Sequence, residues 1–300
     1  MSTPVFLAGP TAVGKSEIAL ALAAKMGGEI ISVDSMQVYR GLDIGTAKPD
    51  AAARKLIPHH LHDVCDLTEP FDAAKFAQLA SVAVAEIRAR NRVPIFCGGT
   101  GFYFKAYLDG VGNSPAPDAR FRAELEASPL ARLLEELRER DPDAYVTIDR
   151  KNPRRIIRAV EIVRATGKPI AASRARWARQ PHDAPGATLT LFVRAPGDLR
   201  RRIDSRVDEM FRRGLVEETH ELLRRGLEKN RAAMQAIGYR QVAGHLRGEH
   251  TLAETIELVK IRTRQFAKRQ MTWFRRHAHY RRIEIKPEDT VEEIATRIFV

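Results

Sequence analysis

Gly9-Pro10-Thr11-Ala12-Val13-Gly14-Lys15-Ser16 is the stretch from which the rest of this chain is read. It fits the pattern Gly-x4-Gly-Lys-Ser/Thr, in which loop amides and a helix N-terminus surround a polyphosphate. Its flanks suit that reading. Val5-Phe6-Leu7-Ala8 is an apolar run of the length of a buried strand, and Glu17 to Met26 reads as a helix that stops at Gly27-Gly28. In such a loop Lys15 supplies a point charge and Ser16 an oxygen ligand for magnesium.

Outward from the loop the same alternation continues. Glu29 to Val33 reads as a second strand that ends in Asp34-Ser35, and Asp72 to Arg90 as an amphipathic helix with Phe76, Leu79, Ala83 and Ile87 at helical spacing. Val93 to Cys97 gives another strand, closed by Gly98-Gly99-Thr100-Gly101. Strands alternating with helices predict an α/β fold, a P-loop NTPase-like parallel sheet flanked by helices. Ligands of such sheets lie off the carboxyl ends of the strands, where the loop, Asp34 and Gly98 to Gly101 converge. Asp34 then has two functional readings, magnesium ligand or general base, beside the plain one of capping the next turn. No Asn-Lys-x-Asp motif appears, nor a second apolar run ending in Asp-Asp or Asp-Glu. That argues against a GTPase switch or an ATP-driven motor and for a small-molecule transferase.

Two proline- and glycine-rich stretches, 112–117 and 180–186, bracket a middle region whose pattern is helical only. The expected organisation is a catalytic core of residues 1–112 plus 187–300, interrupted by an all-helical insertion domain, 113–186. Its clearest helix has Asn152 as N-cap, Pro153 in the first turn, Ile156, Ile157, Val160 and Val163 as an apolar face, and Gly167 as terminator. Thr188 to Val193 returns as a strand. The remainder is expected to be helical, its longest helix running from Thr251 to about Arg276.

Charge is distributed unevenly. Residues 1–100 carry ten Lys/Arg against ten Asp/Glu, so the net charge of +12 belongs entirely to the later residues. A neutral phosphate-binding core with a basic remainder points to one small partner and one large polyanion. The excess concentrates in two runs. Arg150 to Arg176 holds nine Lys/Arg and one acid, Glu161; Thr251 to Arg282 holds nine against Glu254 and Glu257. In the long helix Leu252, Ile256, Val259, Thr263, Phe266, Gln270 and Trp273 share one face, with Lys260, Arg264, Lys268 and Arg275 as a neighbouring cationic stripe of the kind that grips phosphate backbones. His59, His60, His62 and Cys65 lie close together, but no second ligand pair follows, so packing is expected of them rather than zinc. Two cysteines, no basic apolar leader and no membrane-length apolar stretch make a soluble cytoplasmic protein the expectation.

At this point several segments together resemble one family. The loop, Ile31-Ser32-Val33-Asp34-Ser35-Met36-Gln37-Val38-Tyr39, Asp43-Ile44-Gly45-Thr46-Ala47-Lys48-Pro49, Pro58-His59-His60-Leu61, Gly98 to Gly101, Arg154 to Ala159, Gly238 to Gln241 and Lys268 to Trp273 are similar, in order, to the bacterial tRNA dimethylallyltransferases (tRNA isopentenyltransferases). The sequence stops at Val300 without the zinc-finger tail of eukaryotic members, so the bacterial form is expected. The resemblance implies transfer of a dimethylallyl group from dimethylallyl diphosphate to N6 of adenosine 37, 3′ to the anticodon, in tRNAs reading codons that begin with U. It implies magnesium as cofactor, the tRNA anticodon stem-loop as partner, and a monomer acting away from membranes. Carried over by position, Asp34 is the general base, and Gly9, Pro10, Thr11, Ala12, Val13, Gly14, Lys15 and Ser16 hold the donor diphosphate. Arg206 is a further diphosphate-contacting arginine, so that Asp34, Lys15, Thr11 and Arg206 form the catalytic set.

The tRNA contacts implied are Asp34, Ser35, Met36, Gln37, Thr100 and Arg122, then Arg154, Arg155, Ile156, Ile157 and Arg158. Gln235, Ala236, Ile237, Gly238, Tyr239 and Arg240 follow, and finally Lys268, Arg269, Gln270, Met271, Thr272, Trp273, Phe274 and Arg275. Arg154 stands where the family commonly has glutamine, so its contact is expected to go to backbone rather than base. Three rival readings use the same loop: a small-molecule kinase with ATP there and Asp34 deprotonating an alcohol, an adenylate isopentenyltransferase acting on a free nucleotide, and a non-catalytic RNA-binding protein with a structural nucleotide.

Overall fold

The structure, a computed structural model, describes residues 2–110, 119–174, 188–277 and 279–298. The chain divides into two compact units, Met1–Leu108 with Pro181–Val300, and Asp109–Gln180. The expected hinge stretches, 112–117 and 180–186, lie outside the described residues.

In chain order the first unit begins with β1 (Val5–Ala8), α1 (Lys15–Met26), β2 (Gly28–Val33), α2 (Ala51–Leu56), β3 (His59–His60), α3 (Ala73–Ala89), β4 (Val93–Gly98) and α4 (Gly101–Asp109). Then come α5 (Ala119–Ala127), α6 (Leu130–Arg140), α7 (Pro142–Thr147), α8 (Pro153–Thr166) and α9 (Ile170–Arg174) of the second unit. The first unit resumes with β5 (Leu189–Val193), α10 (Pro196–Arg212), α11 (Leu215–Arg224), α12 (Tyr239–Leu246), α13 (Leu252–His277), β6 (Tyr280–Glu284) and α14 (Val291–Arg297). Six parallel strands form one sheet in the order β3-β2-β4-β1-β5-β6.

Successive side chains of a strand go to opposite faces, and both faces here are covered. Phe6, Ile31, Val33 and Phe96 pack with Phe76 and Ile87 of α3 and Tyr103 of α4. Leu7, Ile30, Ile95 and Phe192 pack with Ile18 and Leu22 of α1 and Ile294 of α14. The strands therefore read as continuous apolar runs. Asp72 caps α3 by accepting from the Ala74 and Lys75 amides, both at 2.9 Å.

Two expectations for the C-terminal part are corrected. Tyr280–Glu284 is a strand, not helix, and it pairs along its length with β5, from Leu189 opposite Tyr280 to Val193 opposite Glu284. Only Ile283 of it is buried, and an edge strand dressed in arginines hides its period. On α13 the buried residues are Thr255, Val259, Ala267, Gln270 and Phe274, whereas Leu252 is 44% exposed. Ala267 packs against Ala12 and Ile203, and of the expected face Leu252 alone is exposed, with Ile256, Thr263, Phe266 and Trp273 half-buried. Lys260 and Arg264 are also no part of a free cationic edge. They pair with Asp208 (2.8 Å) and Asp204 (2.9 Å) of α10.

In the second unit five helices bury Leu125, Leu133, Leu137, Ile156, Val160 and Val163. Asn152 caps α8 through the Arg155 amide, and Gly167 ends it at φ 63°. Asp141 accepts from the Ala144 amide at the head of α7 and from the Ile170 amide at 2.7 Å, so one buried carboxylate joins two helix starts.

Candidate active site

The loop between β1 and α1 holds Ala12 and Gly14 at φ 63° and 106°, and a left-handed alanine costs about 1 kcal/mol. Two arginines hold that turn from outside. Arg202 Nε donates to the Ala12 carbonyl and Arg194 Nε to the Val13 carbonyl, each at 2.9 Å. With those carbonyls engaged, the first amides of α1, which have no partner inside the helix, are left for an anion. Lys15 Nζ donates to the carbonyls of Gly9 (2.9 Å) and Pro10 (2.7 Å). Burial lowers its pKa to about 8, Arg206 pushes the same way, and Cys97 and Asp34 act against them. Arg206 Nη1 lies 3.4 Å from Thr11 Oγ1, its own pKa lowered by burial and then by Arg202 beside it.

Gln270 braces this loop. Its Oε1 accepts from the Thr11 amide at 2.9 Å and its Nε2 donates to the Gly99 carbonyl at 3.0 Å. The neighbouring glycines explain themselves: a Cβ at Gly99 would meet the Gln270 amide, and one at Gly101 the Trp273 ring. Asp34, at the end of β2, accepts from the Met36 (2.8 Å) and Gln37 (3.2 Å) amides through Oδ1. The turn is capped by one oxygen, and a carboxylate has two. Thr100 Oγ1 accepts from the Ser35 amide at 3.1 Å, which ties the Asp34 turn to the end of β4. The charge of Asp34 acts on Lys15, Arg206 and Cys97, so carboxylate and phosphate loop share one site.

Comparison with known proteins gives the family. Residues 37–277 match the family described as IPP transferase, and residues 4–63 that described as isopentenyl transferase. The chain belongs to the IPP transferase family. It is 45% identical over 277 residues to the tRNA dimethylallyltransferase of Geobacter metallireducens, covering 91% of this chain and 89% of that one. It is 43% identical over 298 residues to that of Roseiflexus, covering 97% and 96%. The crystal structure of the tRNA isopentenylpyrophosphate transferase from Bacillus halodurans superposes with a TM-score of 0.71 at 37% identity, over 100% of this chain and 96% of that one. A eukaryotic dimethylallyltransferase acting on tRNA superposes with a TM-score of 0.82 at 27% identity, over 99% and 77%.

Within this IPP transferase fold the residues expected at the tRNA divide by exposure. Gln235 and Arg240 are exposed and bonded to each other at 3.2 Å; Ala236, Gly238 and Tyr239 are buried, and Ile237 is half-buried. The Tyr239 hydroxyl donates to Glu218 at 2.6 Å and accepts from the Gly45 amide at 3.1 Å, while Glu218 takes the Ile44 amide through both oxygens. That network fixes the segment from Asp43 to Pro49, together with buried Lys48, whose ammonium meets Asp43, Asp63 and the Tyr39 carbonyl. Lys268, Arg269, Thr272 and Arg275 are exposed on α13, Met271 and Trp273 half-buried, and Gln270 and Phe274 buried. Gln37 is wired inward, accepting from Ser32 Oγ and donating to the Thr46 carbonyl. In the second unit Arg154 and Arg155 are exposed, Arg122, Ile157 and Arg158 half-buried, and Ile156 belongs to the core.

The histidines pack, as expected. His59, His60 and His62 are bonded to the Ile57 carbonyl, Glu29 and Gln37, and burial pushes His62 down to about 3. Arg194 and Arg202 are the site residues the sequence reading missed. Arg202 and Arg206 stand one helical turn apart on α10, and that spacing was the available signal. Ser16 is exposed at the head of α1, an oxygen donor beside the anion site that fits a hard cation such as magnesium, which is usually held by few protein oxygens plus the phosphates it serves.

Proposed function

We propose that this enzyme is a tRNA dimethylallyltransferase that transfers its prenyl group from dimethylallyl diphosphate to N6 of adenosine 37, the base 3′ to the anticodon. The observation that carries the reading is the pairing of a basic phosphate loop with an adjoining carboxylate, Asp34, whose charge acts on Lys15 and Arg206. An exocyclic adenine amine is a weak nucleophile. As its nitrogen bonds to C1 of the donor, the C1–O bond breaks, the electron pair leaves with the diphosphate, and Asp34 takes the N6 proton. Loop amides, Lys15 and Arg206 stabilise the charge that grows on the departing oxygen. Ser16 is the residue that would hold magnesium, which when bound would supply further positive charge to the leaving group. The loop thus serves a leaving group, not a nucleotide. The adenine must leave its stack to reach Asp34, which costs a loop nucleotide a few kcal/mol.

The test is one set of incubations: labelled dimethylallyl diphosphate with an anticodon stem-loop, the same donor with AMP, and ATP with small alcohols. Label in the stem-loop adenine supports the reading. Label in AMP, or phosphate transfer from ATP with the stem-loop untouched, replaces it by one of the rival activities.

A further inference from the structure

Gln37, expected at the RNA, has both polar atoms of its side chain engaged within the protein. Its Oε1 accepts from Ser32 Oγ and from His62 Nε2, each at 3.0 Å. Its Nε2 donates to the carbonyls of Thr46 (3.0 Å) and Ala47 (3.4 Å). The backbone is held too: the Gln37 amide donates to Asp34 Oδ1 at 3.2 Å, and its carbonyl accepts from the Asp63 amide at 3.2 Å. One residue thus ties the end of β2 to two separate loops, at residues 46–47 and 62–63.

Backbone strain gathers at the same place. Among the described residues five other than glycine hold a positive φ, and three of them adjoin this side chain. Ala47 (φ 50°) offers it a carbonyl, Asp63 (55°) donates to its backbone, and Leu61 (64°) precedes His62. Residues with a Cβ resist that conformation, so it persists where surrounding contacts impose it. The His62 ring also rests on His59, with centroids 5.5 Å apart and planes 26° apart. Because Gln37 Nε2 faces two carbonyls, Oε1 is the acceptor, and His62 must be the Nε2–H tautomer. Nδ1 of the ring is buried and, among the described residues, has no hydrogen-bond partner. A stranded acceptor costs stability that an apolar residue would keep. What histidine brings here is therefore its Nε2–H. Asp34 in turn uses one oxygen to cap the Met36 and Gln37 amides, so the aim of the other follows from where the Gln37 backbone lies. We propose that His62 is a positioning residue that locks Gln37 through Nε2–H and so aims the second oxygen of Asp34 at the reacting amine. That role rests on the reading above of Asp34 as the base, and deepens it.

Packing and positioning predict different orders among variants of His62. His62→Leu keeps the bulk and loses the donor. Single-turnover transfer to the stem-loop should slow about tenfold, since misplacing a reacting group by about 1 Å can cost roughly a hundredfold. KM for donor and stem-loop should both stay within about twofold, because neither is touched by the ring. His62→Gln sets an amide N–H near the position of Nε2 and should return to within about threefold of native. His62→Asn reaches only to the position of Nδ1 and should be as slow as leucine. In a Gln37→Ala background His62→Leu should cost little more. Nitrogen-15 spectra of the native protein should show His62 as the neutral Nε2–H tautomer at neutral pH.

Native-rate transfer by folded His62→Leu overturns the inference. So does equal behaviour of the glutamine and asparagine variants, full additivity with Gln37→Ala, or a His62 ring that is charged or protonated at Nδ1. Should His62→Leu not fold, the glutamine and asparagine pair and the spectrum of the native protein decide. If native protein leaves the stem-loop adenine unalkylated, the tRNA reading falls instead, and the tautomer of His62 still shows whether Gln37 is locked in this way.

Discussion

Gln270 offers the sharpest test of how the phosphate loop is held. Its side chain joins the Thr11 amide to the Gly99 carbonyl, and at 8% exposure no water replaces it readily. Gln270→Leu keeps the volume and strands one donor and one acceptor, each worth about 1–3 kcal/mol when buried. Added apolar burial offsets about 1 kcal/mol, which leaves a loss of about 1–5 kcal/mol. For a unit of this size that is a fall in Tm of about 2–20 °C. Gln270→Glu separates the loop's shape from its charge. The carboxylate still accepts from Thr11 but cannot donate to Gly99. It also sets a negative charge against the Thr11 amide of the loop, and at an effective dielectric near 20 two unit charges about 7 Å apart repel by about 2 kcal/mol, some 30-fold in donor binding. Thermal unfolding by circular dichroism, with KM measured separately for donor and stem-loop, reads both effects. The expected pattern is a low Tm for leucine and a raised donor KM for both variants, greater for glutamate. An unaltered Tm and donor KM, with only the stem-loop KM raised, would make Gln270 an RNA contact and refute the brace.

Three further outcomes are expected. Asp34→Asn keeps the acceptor that caps the Met36 and Gln37 amides and removes the base, so single-turnover transfer should slow by roughly two to four orders of magnitude with stem-loop Kd within about twofold; near-native transfer would clear Asp34 of the role. Folding lowers Lys15 from 10.5 to about 8, so between those values the unfolded chain binds one more proton and the stability contributed by this group rises with pH. The diphosphate prefers the ammonium form, so donor kcat/KM should fall about tenfold per pH unit above about 8, an inflection that Lys15→Arg should abolish. Lys268→Ala and Arg275→Ala remove exposed cations of α13 and should each flatten the salt dependence of RNA binding by about one unit, measured as the log-log slope of Kd.

The parts of this molecule legible in its sequence are those where one strong local cause acts. Glycines at fixed spacing between an apolar run and a helix announce the loop, and Asn152 with Pro153 and Gly167 announces α8. Asp34 was legible because strands of parallel sheets present their carboxyl ends to ligands. What stayed hidden depends on partners far along the chain. Gln270 meets Thr11 across 259 positions and Arg194 meets Val13 across 181, and neither pairing leaves a periodic trace. β6 escaped because it is paired on one side only and lined with Arg281 and Arg282. The stripe of α13 misled because a cation half-way down a helix reads the same whether RNA or Asp204 lies opposite.

On the function proposed above, the arginines around the loop bear on why this site would suit a departing diphosphate. Lys15, Arg194, Arg202 and Arg206 bring four positive charges, and Glu17, Asp34 and Asp198 remove three, leaving +1 (4 − 3) at the mouth of α1. A diphosphate ester carries roughly three negative charges, more than that sum, so a cation with an oxygen ligand at Ser16 complements the count. Most of the four are also committed to the protein. Arg194 and Arg202 use Nε to hold carbonyls, Arg194 uses Nη1 on Asp198, and Lys15 sits on Gly9 and Pro10. Charge held by such bonds is already oriented before the leaving oxygen becomes negative, and needs no reorganisation as the C–O bond breaks.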